Sequence, residues 1–293
     1  MIRPVAFGYN PQTAESNAFQ KKLEMNDKEI QRRALAEFDQ MAAALNDLGI
    51  NVIVLEDSNE PHTPDSIFPN NWFSTHPDGS FCLYPMEARA RRLERLAIEN
   101  KEFAKICDKS KTVDLTSFEA DGKFLEGTGS LILDHKNRIA YACISSRTNE
   151  EVLDVWARTF DFSVVKFGSF DERGTAIYHT NVMMCLGDKF AVVCLESIKN
   201  KAERLTVIES LKRTGREIVD ISFEQMNNFA GNMLLLKNKN DEKILVMSKR
   251  AFESLKYRQI KSLGSDAKLA AFDIETIEDC GGGSVRCMIA EVF

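Results

Sequence analysis

At 293 residues the chain is long enough for one large domain or two small ones, and 44% hydrophobic and 28% charged content is that of a soluble globular protein. A net charge of −6 argues against a nucleic-acid partner or an anionic membrane surface, both of which favour basic patches. No apolar run approaches the roughly 18 to 20 residues that span a bilayer, and residues 1–20 lack the charged start and apolar core of a secretory leader. The seven cysteines, odd in number and without paired spacing, read as a reduced cytoplasmic set. Cys107, Cys143, Cys185 and Cys194 lie in or beside apolar runs and Cys82 in a short strand, so all five read as packing. With four histidines and no His/Cys cluster at ligand spacing, no metal site is expected.

In chain order, five short segments share one pattern: a small or polar loop, one polar or small residue, then mostly apolar residues. They are residues 69–74, 127–133, 179–184, 230–235 and 285–290, which makes Asn71, Ser130, Asn181, Asn232 and Cys287 equivalent. Each of the first four is followed by a second apolar strand, at 80–84, 138–144, 190–195 and 243–247, joined to the first by a polar turn. Apolar residues three and four apart then predict helices over 88–98, 150–160, 202–212 and 251–260, with an N-cap at Thr148-Asn149. Third strands follow at 112–115, 163–167, 218–221 and 270–274.

The fifth unit is split between the chain ends. Residues 287–293 supply its first strand, 1–8 its second, 28–48 its helix and 51–55 its third strand. Joining the termini would close a ring and remove open sheet edges. The pattern therefore predicts a single α/β domain over 1–293, five ββαβ units closed by pairing of the N- and C-terminal strands; an open α/β sheet without symmetry is the alternative.

If the five strand mouths converge, their polar residues form one site. These are Asp65, Asn70 and Asn71, then Glu126, then His179 and Asn181, then Asn228 and Asn232, and finally Cys287 behind Gly281-Gly282-Gly283. A cysteine, a histidine and a carboxylate are the parts of nucleophilic catalysis. His179 can serve as general acid and then base, and Glu126 can orient its imidazole. The bland alternatives are a packed thiol, a histidine satisfied at a strand start and a glutamate on the glycine-turn amides.

The motifs Pro64-Asp65-Ser66-Ile67-Phe68-Pro69-Asn70-Asn71-Trp72, Leu125-Glu126-Gly127-Thr128-Gly129, Ser145-Ser146-Arg147-Thr148-Asn149, Tyr178-His179-Thr180-Asn181 and the Cys287 segment are recognisable together. The chain resembles the pentein superfamily of guanidino-group-modifying enzymes, which includes arginine deiminases, dimethylarginine dimethylaminohydrolases, amidinotransferases and arginine dihydrolases. It is most similar to the bacterial citrulline-utilisation (CtlX-type) arginine-deiminase-related proteins. The resemblance covers nearly the whole chain and implies a five-bladed ββαβ propeller. It implies Cys287 as the nucleophile at the guanidinium carbon, His179 as acid/base and Glu126 as its acidic partner. Arg147, and more weakly Arg91, match arginines near a substrate α-carboxylate, a role that suits a guanidinium fork. Asp65 falls in the first substrate loop.

Two departures matter. Deiminases and dimethylarginine hydrolases usually carry a carboxylate at the position of Asn71, and deiminases and amidinotransferases carry one at that of Asn181. Two asparagines present neutral donors and acceptors and suit a ureido group or a reaction that also processes one, as in the arginine dihydrolases. The resemblance therefore implies a cofactor-free hydrolase of C–N bonds in arginine, citrulline or a derivative, working through a covalent Cys287 intermediate on a small guanidino or ureido amino acid. An amidinotransferase on the same intermediate and a non-catalytic pentein binding module are the alternatives. A homo-oligomer is compatible with the sequence, and residues 171–175 and 278–283 are candidate gating loops by composition.

Overall fold

The computed structural model describes residues 1–99, 103, 106 and 109–293; Cys107, read above as packing, lies outside the described residues. The chain is α/β and divides into two compact units, Met1–Gly127 with Ile274–Phe293, and Thr128–Asp273. In the first unit Ile2–Arg3 (β1) pairs in parallel with Leu55–Glu56 (β2). Phe73–Thr75 (β3) and Phe81–Leu83 (β4) form an antiparallel hairpin, and β4 also takes Thr112–Asp114 (β5) as a parallel partner.

The second unit repeats that arrangement. Its first sheet is Ile132–Asp134 (β6), Ile139–Cys143 (β7) and Ser163–Phe167 (β8). Met184–Leu186 (β9), Phe190–Val193 (β10) and Glu217–Asp220 (β11) follow, then Leu234–Lys237 (β12), Lys243–Ser248 (β13) and Lys268–Phe272 (β14). In each of the four three-stranded sheets the middle strand is antiparallel to the strand before it and parallel to the strand after it. A parallel pair needs a long crossover, and a helix supplies it each time in this unit.

The helix Glu150–Phe160 has the predicted span. Asn149 caps it by accepting from the amides of Glu151 and Val152, and Asp161 ends it in the left-handed region at φ 54°. Val152, Leu153, Trp156, Ala157 and Phe160 line its buried face. Helix Asp27–Asp47 behaves likewise, capped by Asn26 and burying Ile30, Ala34, Phe38, Met41, Ala42 and Leu45. The first unit's apolar cluster joins Ile2 and Leu55 of the β1–β2 pair to Trp72, Phe73, Phe81, Met86 and Phe103, with Trp72 stacked on Phe103.

Other expectations are corrected. The predicted helix over 251–260 is two helices, Lys249–Ser254 and Tyr257–Gly264. Gln225 Nε2 donates to the Ser254 carbonyl, and Gln259 accepts from the Lys256 amide, so both broken ends are capped. The predicted helix over 88–98 is one α-turn, Arg89–Arg92, continued as 3-10 helix Leu93–Glu99. The last predicted third strand runs Lys268–Phe272 rather than to 274. No strand is assigned over residues 287–293. There Arg286 Nη1 takes the Ile289 carbonyl and Thr75 Oγ1 takes that of Glu291, so side chains satisfy acceptors a ladder would have used.

The expected open loops at the strand mouths are helical turns. Pro69–Asn71 precedes β3, Gly127–Ser130 precedes β6, Thr180–Met183 precedes β9, and turns over 228–231 and 285–288 complete the set. Four of these turns pack in pairs, backbone against backbone. A Cβ on Gly127 would lie 2.3 Å from the Asn70 carbonyl oxygen, and one on Gly231 would lie 2.2 Å from that of Val182. Among the described residues no helix is long and apolar enough to cross a membrane.

Gly127 (φ 46°) and Gly122 (φ 67°) both sit in the left-handed region, but a Cβ on Gly122 meets nothing within 4 Å. Gly122→Ala is expected to cost about 1 kcal/mol and Gly127→Ala roughly 3 kcal/mol, the difference being the clash. Urea midpoints at unchanged slope measure both, and equal losses would remove close packing as the reason for Gly127.

Candidate active site

The first unit gathers five of the expected site residues in its fold: Asp65, Asn71, Arg91, Glu126 and Cys287. Arg91, Arg147 and the other charged members are buried. Arg91 Nε and Nη2 fork onto Glu94 at 2.8 and 2.9 Å, Nη1 donates to Asn71 Oδ1 at 2.7 Å, and Nη2 also reaches the Phe68 carbonyl at 3.0 Å. Asp65 Oδ2 lies 3.9 Å from Arg91 Nε and accepts from Asn10 Nδ2 at 2.7 Å and Thr13 Oγ1 at 3.2 Å. Glu126 Oε1 accepts from the Glu87 amide at 3.0 Å. The tight passage of Gly127 over the Asn70 and Asn71 carbonyls sets Glu126 against the same turn.

Burial pushes the Glu94 carboxyl up to about 7, with Asp65 and Glu126 adding to the rise and Arg91 opposing it. Arg91 is desolvated too, but the three surrounding carboxylates outweigh this and hold it protonated. Glu94, Asn10 and Thr13 were missed as site neighbours. For Glu94 the signal was present: Arg91 and Glu94 are three apart, the spacing at which helical side chains meet.

Cys287 sits in the turn over 285–288, its amide donating to the Ser284 carbonyl at 2.9 Å. That turn is clamped from behind. Glu37 accepts from the Thr276 and Ile277 amides, capping helix Glu275–Gly281. Gly282, at φ 64°, ends the helix, and Asn17 Nδ2 donates to its carbonyl at 3.2 Å. Ser284 Oγ then donates to the buried Glu278 carboxylate at 2.6 Å. Cys287 is therefore in a turn, not at the mouth of an assigned strand.

The second unit holds Arg147, His179 and Asn181. Ser145 Oγ donates to the Tyr178 carbonyl at 2.8 Å, tying the Arg147 loop to the histidine segment. The Arg147 guanidinium lies 4.8 Å over the Tyr178 ring, and the Tyr178 and His179 rings are 4.8 Å apart. Thr180 Oγ1 donates to the Ser130 carbonyl at 2.5 Å, and Asn232 Nδ2 to that of Asn181 at 3.0 Å. Asn228 Nδ2 donates instead to the Glu224 carbonyl of its own helix at 2.9 Å. Among the described residues no group of three or more His, Cys, Asp and Glu is arranged to hold a metal ion.

The α/β architecture and its small repeated sheets, with the matches below, place the chain in the pentein superfamily of guanidino-group-modifying enzymes, as a hydrolase of C–N bonds in linear amidines. Within it, the chain belongs to the N,N dimethylarginine dimethylhydrolase, eukaryotic, family, which it matches over residues 3–293. No curated protein matches it in sequence.

Solved structures resemble it in fold. The substrate-bound N-terminal domain of ArgZ, an arginine dihydrolase from the ornithine-ammonia cycle in cyanobacteria, is 17% identical with a TM-score of 0.75, covering 98% of this chain and 95% of that one. Unliganded AgrE has the same identity and TM-score and covers 98% of this chain, which spans 38% of the AgrE chain. A dimethylarginine dimethylaminohydrolase adduct with 4-chloro-2-hydroxymethylpyridine is 18% identical with a TM-score of 0.62, covering 88% of this chain and 90% of that one.

Burial pushes the thiols of Cys143, Cys194 and Cys280 up to about 12 and that of Cys82 further. At pH 8 about one in ten thousand of the first three is thiolate, so iodoacetamide is expected to spare all four until the protein unfolds, as peptide mapping would show. The raised Glu94 carboxyl favours the protonated form in the fold. Its contribution to stability is therefore complete below its ordinary 4.5 and lost as the pH rises through about 7. Glu94→Gln is expected to flatten that part of the curve, read as urea midpoints at pH 5 and pH 8; an unaltered drop would assign it to another group.

Proposed function

We propose that the chain is a cysteine-dependent hydrolase of the guanidino or ureido group of arginine, citrulline or a derivative. The Cys287 thiolate attacks the central carbon of that group. His179 gives a proton to the departing amine and then takes one from the water that hydrolyses the thioester-like or thiouronium intermediate. Glu126 supports the histidine's charge and orientation. Asp65, Asn71 and Asn181 contact the substrate's polar groups. Arg147, stacked on Tyr178, receives its α-carboxylate. Arg91 fits that last role less well, since its fork is committed to Glu94 and Asn71.

The observation that carries this reading is the exception in the repeat. At the position the sequence repeat makes equivalent, four repeats carry the buried amide or hydroxyl side chains of Asn71, Ser130, Asn181 and Asn232, and the fifth carries a buried thiol. A packing cysteine would replace an apolar residue, not a polar one. The family match over residues 3–293 supports one catalytic domain along the whole chain, built as a five-bladed pentein propeller with its fifth blade split between the termini. Asparagines in place of two carboxylates favour a substrate or intermediate with a neutral ureido group. This agrees with the arginine dihydrolases among the fold neighbours. The free buried thiols suit a reducing, cytoplasmic setting.

Incubation with arginine, and separately with citrulline, is expected to yield ornithine and ammonia from both. Cys287→Ala should lose at least a thousandfold in turnover while keeping its far-UV circular dichroism and melting temperature. Citrulline accumulating from arginine would assign a deiminase instead, and an active Cys287→Ala protein would refute the covalent mechanism.

A further inference from the structure

The two ends of the Asn71 carboxamide are in different situations. Its Oδ1 accepts from Arg91 Nη1 at 2.7 Å. A guanidinium has donors and no acceptor, so the oxygen must face Arg91 and the amino group must turn away. Asn71 is 3% exposed. Its Nδ2 is buried and has no hydrogen-bond partner among the described residues. Arg91 has little freedom to release the oxygen. Glu94 holds two of its nitrogens in a bidentate pair and the Phe68 carbonyl takes a further contact, all of it buried.

We propose that Arg91, clamped by Glu94, is a positioning residue that fixes Asn71 with its donor outward, so that the site prefers a substrate group bearing a hydrogen-bond acceptor. The carbonyl oxygen of a ureido group is such an acceptor. A guanidinium presents only donors and meets the Asn71 amino group donor to donor. The inference rests on the reading above that Asn71 contacts the substrate, and it gives Arg91 a different task from carboxylate binding. An unpartnered buried donor is unfavourable, so the ligand that supplies its acceptor gains what the free protein lacks. Lysine cannot replace Arg91 here, because one ammonium on a flexible stem cannot hold Glu94 as a fork and Asn71 together.

The test compares binding of citrulline and of arginine to the full chain in the Cys287→Ala background, and the ratio of their kcat/KM values with Cys287 present. Arg91→Lys frees the amide to rotate and is expected to lower the citrulline-to-arginine preference about tenfold, the worth of one hydrogen bond gained against one lost. Glu94→Gln loosens the clamp without removing the guanidinium, is expected to shift the ratio the same way by less, and carries the test if Arg91→Lys fails to fold. Equal losses for both ligands would make Arg91 merely structural. Equal losses that spare agmatine, which lacks the carboxylate, would make it a carboxylate contact. Either overturns the proposal while leaving the proposed hydrolase intact. If the unsubstituted site takes neither ligand, in binding or in turnover, the reading of Asn71 fails and the inference falls with it.

Discussion

A buried guanidinium organises the first unit. Arg91 lies among Asp65, Glu94 and Glu126, and moving any of these charges out of water is unfavourable by several kcal/mol. The arrangement persists because each guanidinium nitrogen finds an oxygen in good geometry, with two contacts on Glu94, one on Asn71 and one on the Phe68 backbone. The pair also links local structures. It fastens the short helix Arg89–Arg92 to the turn Pro69–Asn71, the element that delivers Asn71 and, through Gly127, constrains Glu126. Removing one partner would leave a buried charge uncompensated, the costlier half of any buried ion pair. Asp65, held by Asn10 and Thr13, shows why the N-terminal segment belongs to the same assembly.

The turn that carries Cys287 depends on residues far away in sequence. Glu37 caps the helix before it across 239 positions, and Asn17 holds the Gly282 carbonyl across 265. Such contacts form only after the chain ends have met, so the entropy of closing that loop must be offset by everything else packed around it. Glycine at 282 follows from two requirements at once: a left-handed helix end, and an Asn17 amide 2.5 Å from where a Cβ would sit.

What was legible in the sequence was whatever is decided locally. Strand alternation and helical spacing are properties of a few consecutive residues, and helix Glu150–Phe160 carries its own cap at Asn149 and its own stop at Asp161. The repeat was legible because the same local pattern recurs. What was not legible is decided across distance. Nothing near Leu255 announces a break, because Gln225 imposes it from another helix. The fate of Arg91 depended on whether its side chain turned toward solvent, a substrate or Glu94, which composition does not decide. The strand anticipated over 287–293 has the right apolar residues, but Arg286 and Thr75 take its carbonyls. Pattern recognises which residues are apolar, not where their backbone acceptors are spent.

The strand mouths show how far structural and functional readings can be separated. In the second unit Thr180 donates to the Ser130 backbone and Asn232 to the Asn181 backbone, while Gly231 lets its turn lie on that of Val182. Small and polar residues recur at these mouths first because successive turns touch through their main chains, and buried carbonyls need donors. That requirement alone would produce the repeat in a protein with no chemistry. Function is then to be sought where a mouth departs from what packing asks. A thiol at 287 donates weakly and caps poorly. An asparagine at 71 spends its oxygen on Arg91 and leaves its amino group without a hydrogen-bond partner among the described residues. Neither choice is the one that stability of the turns would select, and both lie in the unit that also holds Asp65 and Glu126.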